Sequence, residues 1–158
     1  MFEVIAIQFT QDQTRALTRV SVETLRHWRK VIPYLSSKSG KAARFTFADL
    51  LGLAVSFELV NSFGINITTL SAGIDSLFRL LETSGIVKLD DAVVFVTATE
   101  ATLFETGDAG ISQSLTKPTL VIPLGPLMAR IQLHMLPTMP TSTQRVLPFP
   151  PEAVRSRS

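Results

Sequence analysis

The segment SVETLRHWRK, at residues 21–30, decides how the rest of the chain can be interpreted. Ser21 is a favourable N-cap, and Val20 and Leu25 are spaced to form a hydrophobic staple around it. The positions expected to face solvent carry a dense set of basic side chains: Arg26, His27, Arg29 and Lys30. The segment therefore predicts a short helix over residues 22–30 whose outer face needs an anionic partner or bulk solvent.

The composition is that of a folded protein without thiol chemistry. Of the 158 residues, 46% are hydrophobic and 18% charged, so we expect one domain, or a small domain with an appendage. The absence of cysteine excludes disulfides, thiolate metal sites and thiol redox switches. Because the two histidines are isolated in the sequence, we expect neither a metal nor a cofactor.

No feature of the sequence points to a membrane or to secretion. The first nine residues contain an acid and no base, which does not fit a secretory signal. Glu58, Pro123 and Pro126 interrupt the longest apolar runs, so no segment is suited to cross a bilayer as a helix. We therefore expect a cytoplasmic protein that makes no membrane contact.

Positive charge is concentrated in the first third of the chain. Residues 1–47 contain eight Lys and Arg against three Asp and Glu, a net charge of +5. The remainder contains seven basic and ten acidic residues, a net charge of −3. Cations gathered in one small region are typical of a surface that binds the phosphate backbone of nucleic acid, because each neutralised phosphate releases condensed counterions.

Local signals divide the basic region into short elements. Thr10 and Gln13 form a capping box that predicts a helix, and Pro33 ends the basic helix that follows. Small, polar and cationic residues then surround Gly40. The elements predicted here, besides the basic helix, are a strand or extended arm at 2–9, a helix at 11–17, a turn at 18–20 and a wing loop at 35–44.

The rest of the chain changes from helical to alternating periodicity after residue 90. Thr46 and Asp49 repeat the capping box. The predicted elements are helices at 47–62 and 68–82, strands at 93–99, 101–105 and 119–124, a helix at 127–136 and a flexible proline-rich tail at 137–158. We therefore predict an α+β fold, with a winged helix-turn-helix domain at 1–66 and a helix plus β-rich dimerisation or regulatory segment at 67–136.

Two stretches carry a resemblance to a known family. FTQDQTRALTRVSVETLRHWRKVIPYL at residues 9–35 and RFTFADLLGL at 44–53 resemble the winged helix-turn-helix of the mercury-resistance regulator (MerR) family of transcription factors. The resemblance covers about residues 9–70. It differs in Ala43, where the family usually has arginine, and in Arg19, where the family usually has a turn glycine. The long antiparallel dimerisation helix of the family has no counterpart.

The resemblance implies a DNA-binding role for this region. Thr24, Arg26 and His27 would face the DNA, Leu25 and Trp28 would pack inward, and the wing at 38–44 would touch the phosphate backbone. The full set of predicted DNA-binding residues is Arg19, Ser21, Val22, Glu23, Thr24, Arg26, His27, Lys30, Lys38, Lys41 and Arg44. We therefore expect a sequence-specific, dimeric transcriptional regulator, a repressor or autoregulator, and no enzyme, since no catalytic motif is present.

Alternatives to this interpretation remain open at the level of sequence. The protein could be a partner-binding, antitoxin-like protein, or an architectural DNA-binding protein of a phage or mobile element. The C-terminal half could hold a protein partner or a small-molecule effector. The apolar residues of 120–136 predict either a dimer interface or a strand and helix folded inward, with equal weight.

Overall fold

In the described part of the chain, five helices are followed by three strands and a final helix. The computed structural model describes residues 7–40, 42–85, 89–105 and 116–135. The elements are α1 (Gln11–Thr18), α2 (Val22–Val31), α3 (Pro33–Ser36), α4 (Phe47–Asn61), α5 (Ser71–Thr83), β1 (Ala92–Val96), β2 (Ala101–Glu105), β3 (Leu120–Pro123) and α6 (Gly125–Met135). The predicted α+β class is confirmed. The predicted tail at 137–158 lies outside the described residues.

The first two helices begin where the capping signals predict. Thr10 and Gln13 form the complete capping box of α1, and the Ser21 hydroxyl accepts the Thr24 N–H at the start of α2. Between the helices, Arg19 adopts the left-handed conformation, with φ of 69°, and its N–H donates to the Arg15 carbonyl. Only residues 19–21 separate α1 from α2.

The prediction for residues 35–44 is partly wrong. Leu35 and Ser36 belong to α3, which begins directly after α2 because Pro33 occupies its first turn. The predicted strand at 2–9 lies mostly outside the described residues. Of its described members only Phe9 pairs, in an isolated antiparallel bridge with Phe45. The far end of the loop after α3 is therefore bonded to the segment that leads into α1.

Several predicted boundaries in the second half differ from those in the structure. Helix α5 begins at Ser71 because the preceding residues form turns, in which Asn66 Oδ1 accepts the Thr68 N–H. Strand β1 ends at Val96 because Thr97 closes a tight turn to Glu100, with N–H to carbonyl bonding at 2.8 Å. The last helix begins at Gly125, two residues earlier than predicted.

The sheet is antiparallel, with strand order β2-β1-β3. Val94 lies opposite Leu103 on one side and opposite Ile122 on the other. Ala92, Val94 and Val96 share the face that belongs to the hydrophobic core. This face packs on α5, so the sheet covers the helical layer from one side.

One hydrophobic cluster runs through the molecule, from Phe9 to Ile131. Helix α4 is buried around most of its circumference, because α1, α5 and α6 all pack against it. The predicted segments 1–66 and 67–136 both contribute to this cluster. Of the apolar residues in 120–136, the inward alternative is correct for Ile122, Leu127, Met128 and Ile131, whereas Val121 and Leu133 are exposed.

Candidate nucleic-acid interface

Helix α2 separates an apolar face from a basic face. Leu25 and Trp28 are each 1% exposed and pack the helix against the core. The exposed residues of the opposite face are Glu23, Arg26, His27 and Lys30, while Val22 and Thr24 are half-buried. The Arg26 side chain is 61% exposed and lies 3.7 Å from the Glu23 carboxylate. At this exposure the intrahelical pair is weak, so Arg26 can exchange it for a phosphate.

The beginning of α2 is held by two hydroxyls. Ser21 Oγ accepts the Thr24 N–H at 3.1 Å and donates to Thr24 Oγ1 at 2.9 Å. The second bond fixes the Thr24 side chain beside the helix terminus, where its own hydroxyl hydrogen is still available to an acceptor. The structure thus gives Ser21 a capping role as well as an exposed position.

Arg29, which the sequence predicts among the solvent-facing cations, instead links α2 to α1 and to the wing loop. Its Nε donates to the Lys38 carbonyl at 2.7 Å, and its Nη2 donates to Gln11 Oε1 at 2.6 Å. Burial lowers the pKa of Arg29, although the guanidinium stays charged. The expectation was wrong because Arg29 follows the core residue Trp28 and lies where α1, α2 and the wing loop converge.

The ammonium group of Lys38 is bonded to other residues of the protein. Its Nζ lies 3.1 Å from Asp49 Oδ2, a carboxylate whose side chain is 1% exposed, and donates to the Arg44 carbonyl at 3.2 Å. Asp49 also accepts the Tyr34 hydroxyl at 2.6 Å. Burial, followed by the effects of Asp49, raises the pKa of Tyr34, so this hydroxyl stays protonated and donates. Lys38 therefore connects the wing loop to the start of α4.

Tyr34 and Asp75 extend this network to α5. The Tyr34 N–H donates to Asp75 Oδ1 at 2.7 Å, and the Tyr34 ring stacks on Phe78 with centroids 5.1 Å apart. Arg79 binds the same carboxylate through Nε at 2.9 Å. Sequence reasoning missed these residues. The capping box did identify Asp49 at the start of a helix, but no sequence spacing pairs it with Lys38 or Tyr34.

The remaining predicted DNA contacts belong to the turn before α2 and to the wing loop. Arg19 is exposed at the turn, and Arg44 is exposed near the end of the wing loop, where its Nη1 donates to the Ala43 carbonyl at 3.0 Å. Lys41 lies outside the described residues. Arg29 bonds to the Lys38 carbonyl, and Lys38 bonds to the Arg44 carbonyl, so a continuous series of contacts holds the wing loop against α2.

Comparisons with protein-family models, curated proteins and solved structures found no match for this chain. The resemblance to the MerR family therefore depends on the motif in residues 9–53 alone. Among the described residues, no helix combines the length and apolar character needed to cross a membrane.

Proposed function

We propose that this protein is a sequence-specific DNA-binding transcriptional regulator, a repressor or autoregulator that acts as a dimer. The observation that carries the proposal is the basic outer face of α2, which presents Arg26, His27 and Lys30 on a helix anchored by Leu25 and Trp28. A rigid helix with exposed cations suits the major groove, whose width admits an α-helix.

In the proposed complex, some residues position the protein on the DNA backbone and others recognise the base sequence. Arg26, Lys30 and Arg44 would bind phosphates and set the register of α2 in the groove. Thr24 would reach a base edge, and His27 would contact the phosphate backbone. Arg29 and Lys38 would act indirectly, because their bonds position the wing loop and α2 relative to each other.

The first test is selection of a binding site by the purified full chain. We expect enrichment of one DNA sequence from a random pool, and protection of a site upstream of the protein's own gene if the protein is an autoregulator. An architectural DNA-binding protein would instead retain random sequences equally. No retention of duplex DNA at low salt would contradict the proposal.

The second test measures the salt dependence of binding. Arg26→Gln or Lys30→Gln should each lower the slope of log K against log salt by about one unit, since each change removes one phosphate contact. Lys117→Gln is the matched control, because Lys117 is an exposed cation that pairs with Glu100 beside the sheet. Fluorescence anisotropy between low and moderate salt gives the slopes. Equal slopes for all variants would remove α2 from the interface.

A further inference from the structure

Strand β3 forms one edge of the described sheet, and its outward backbone groups can be assigned from its register. Leu124 N–H donates to the Ala92 carbonyl at 3.0 Å, which makes these residues a hydrogen-bonded pair. Antiparallel pairs alternate between bonded and non-bonded positions. Ile122 opposite Val94 is therefore bonded, whereas Val121 opposite Phe95 turns its N–H and carbonyl away from β1.

The outward side of this edge is apolar and is not covered by any other described element. Val121 is 52% exposed, and Phe63, at the end of α4, is 67% exposed. Both line a groove of about 310 Å³ together with Pro123 and Pro126. Natural edge strands are usually protected by short length, charged side chains, proline, bulges or a covering element. β3 has the sequence LVIP and carries no charge. Its proline removes one donor at the end of the strand, so the other outward groups of this edge can still pair with another strand.

We propose that β3 pairs with β3 of a second copy of this chain, antiparallel about a two-fold axis at Val121. The two Val121 residues then exchange N–H to carbonyl bonds with each other. In the same register, the Thr119 N–H of each strand meets the Pro123 carbonyl of the other. This inference specifies the interface of the dimer proposed above, and it is tested without DNA.

The position of Pro123 is compatible with pairing to a second copy, because the two-fold register places each proline at the end of the paired segment. Pro123 lies opposite Val93 in a non-bonded position, so its missing N–H falls on the outer edge. In the two-fold pairing, the only partner deprived of a donor is the Thr119 carbonyl at the end of the strand, where water can replace it. Apart from the Thr119 carbonyl of each strand, the edge is thus complementary to itself in donors, acceptors and uncharged side chains.

The groove next to the edge supplies the apolar part of the interface. The second β3 would cover Val121 and approach Phe63 and Pro126. The Glu58–Arg130 ion pair, at 3.0 Å, lines the same groove and would form a polar rim. An apolar centre with a polar rim is the usual anatomy of a specific protein interface.

Cross-linking tests the two-fold axis directly, because the chain has no natural cysteine. Hydrogen-bonded antiparallel pairs have Cα atoms about 5.5 Å apart, within the range that a disulfide spans. Val121→Cys should therefore form a covalent dimer as its main species under mild oxidation or with a short bis-maleimide. Thr102→Cys, on the opposite edge strand β2, is the matched control and should remain monomeric on a denaturing gel.

Sedimentation of the full chain provides the second measurement. Val121→Lys places like charges across the axis and should weaken self-association about tenfold or more, while Thr102→Lys should not. Equal melting curves would show that both variants are folded. The inference is overturned by a monomeric wild-type chain, by a dimer that Val121→Lys leaves intact, or by cross-linking at Thr102 alone. A dimer that Val121→Lys leaves intact and that still selects one DNA sequence would overturn this inference and leave the proposed function standing. A monomeric chain would overturn this inference and also the dimeric part of the proposed function.

Discussion

Arg19 shows how one residue can decide the geometry between two helices. Its φ of 69° is the only positive value among the described residues other than glycine. A side chain in this conformation costs about 1–2 kcal/mol, because Cβ approaches the following carbonyl oxygen. The strain persists because the Arg19 N–H donates to the Arg15 carbonyl and because Leu17 and Val20, on either side of the turn, are buried in the core.

Replacing Arg19 should therefore separate strain from charge. Arg19→Gly relieves the strain and should raise the free energy of unfolding by about 1 kcal/mol, although glycine also gains freedom in the unfolded chain. Arg19→Ala removes the same charge but keeps Cβ, and it should give no such increase. Urea denaturation measures both. Equal stabilisation by the two variants would assign the effect to charge.

Trp28 is a core residue of the basic helix rather than a contact of its surface. Its side chain is 1% exposed, in agreement with the prediction that it packs inward. Trp28→Ala should lower the free energy of unfolding by about 3–5 kcal/mol, with loss of DNA binding as a consequence of unfolding. Thermal and urea denaturation test this. A variant with wild-type stability and selectively lost DNA affinity would instead make Trp28 a contact residue.

At the scale of elements, the contact between α5 and the β1–β2 turn is unusually close. The Gly73 N–H donates to the Ala98 carbonyl at 3.1 Å. A Cβ placed on Gly73 would overlap the Thr97 carbonyl oxygen, which belongs to backbone and cannot rotate away. Glycine thus allows the helix to approach the turn, despite its low helix propensity.

Two glycine substitutions test this contact. In an open helix Gly→Ala is favourable by about 0.5–1 kcal/mol, but at Gly73 the overlap should reverse the sign and destabilise the protein by about 1–3 kcal/mol. Gly85→Ala is the control, because no neighbouring atom would lie within 4 Å of its Cβ. Thermal denaturation compares the two. A stabilised Gly73→Ala variant would mean that α5 can move away from the turn.

At the scale of the whole molecule, the last helix returns to the first half of the chain. Helix α6 packs against α4 and α1. Arg130 on α6 binds Glu58 on α4 at 3.0 Å. Because the cluster from Phe9 to Ile131 is continuous, the proposed dimer edge and the proposed DNA-binding face belong to one packed body. A dimer formed through β3 would therefore hold two α2 helices in a defined relation.

The contact between Glu58 and Arg130 makes part of the free energy of unfolding dependent on pH. The Ser62 hydroxyl bond, opposed by burial and assisted by Arg130, lowers the pKa of Glu58. A depressed pKa contributes stability above the unfolded value, about 4.3, and loses it as pH falls through the folded pKa.

Glu58→Gln should therefore destabilise the protein by about 0.5–1 kcal/mol at pH 7, and the difference should shrink below about pH 4. Urea denaturation at several pH values measures the difference. Glu105→Gln, at an exposed position of β2, is the control. A difference that stays constant with pH would show that the carboxylate charge has no part in the contact.

The sequence by itself determined the features that depend on near neighbours in the chain. Capping boxes at Thr10 and Thr46 located the starts of two helices, and the spacing of Leu25 and Trp28 identified the buried face of α2. These features follow from hydrogen bonds and side-chain periodicity within a few residues. The charge asymmetry and the motif suggested a DNA-binding role on the same local basis.

Only the tertiary structure decided which polar and apolar groups meet across long separations. Arg29 links three elements because Gln11 and the Lys38 carbonyl lie within hydrogen-bond distance of its guanidinium. Lys38 is ion-paired because the start of α4 places Asp49 next to its ammonium group. Most of the apolar residues in 120–136 fold inward because α4 and the sheet are there to cover them. Such contacts depend on the packing of elements distant in sequence, and side-chain periodicity carries no information about that packing.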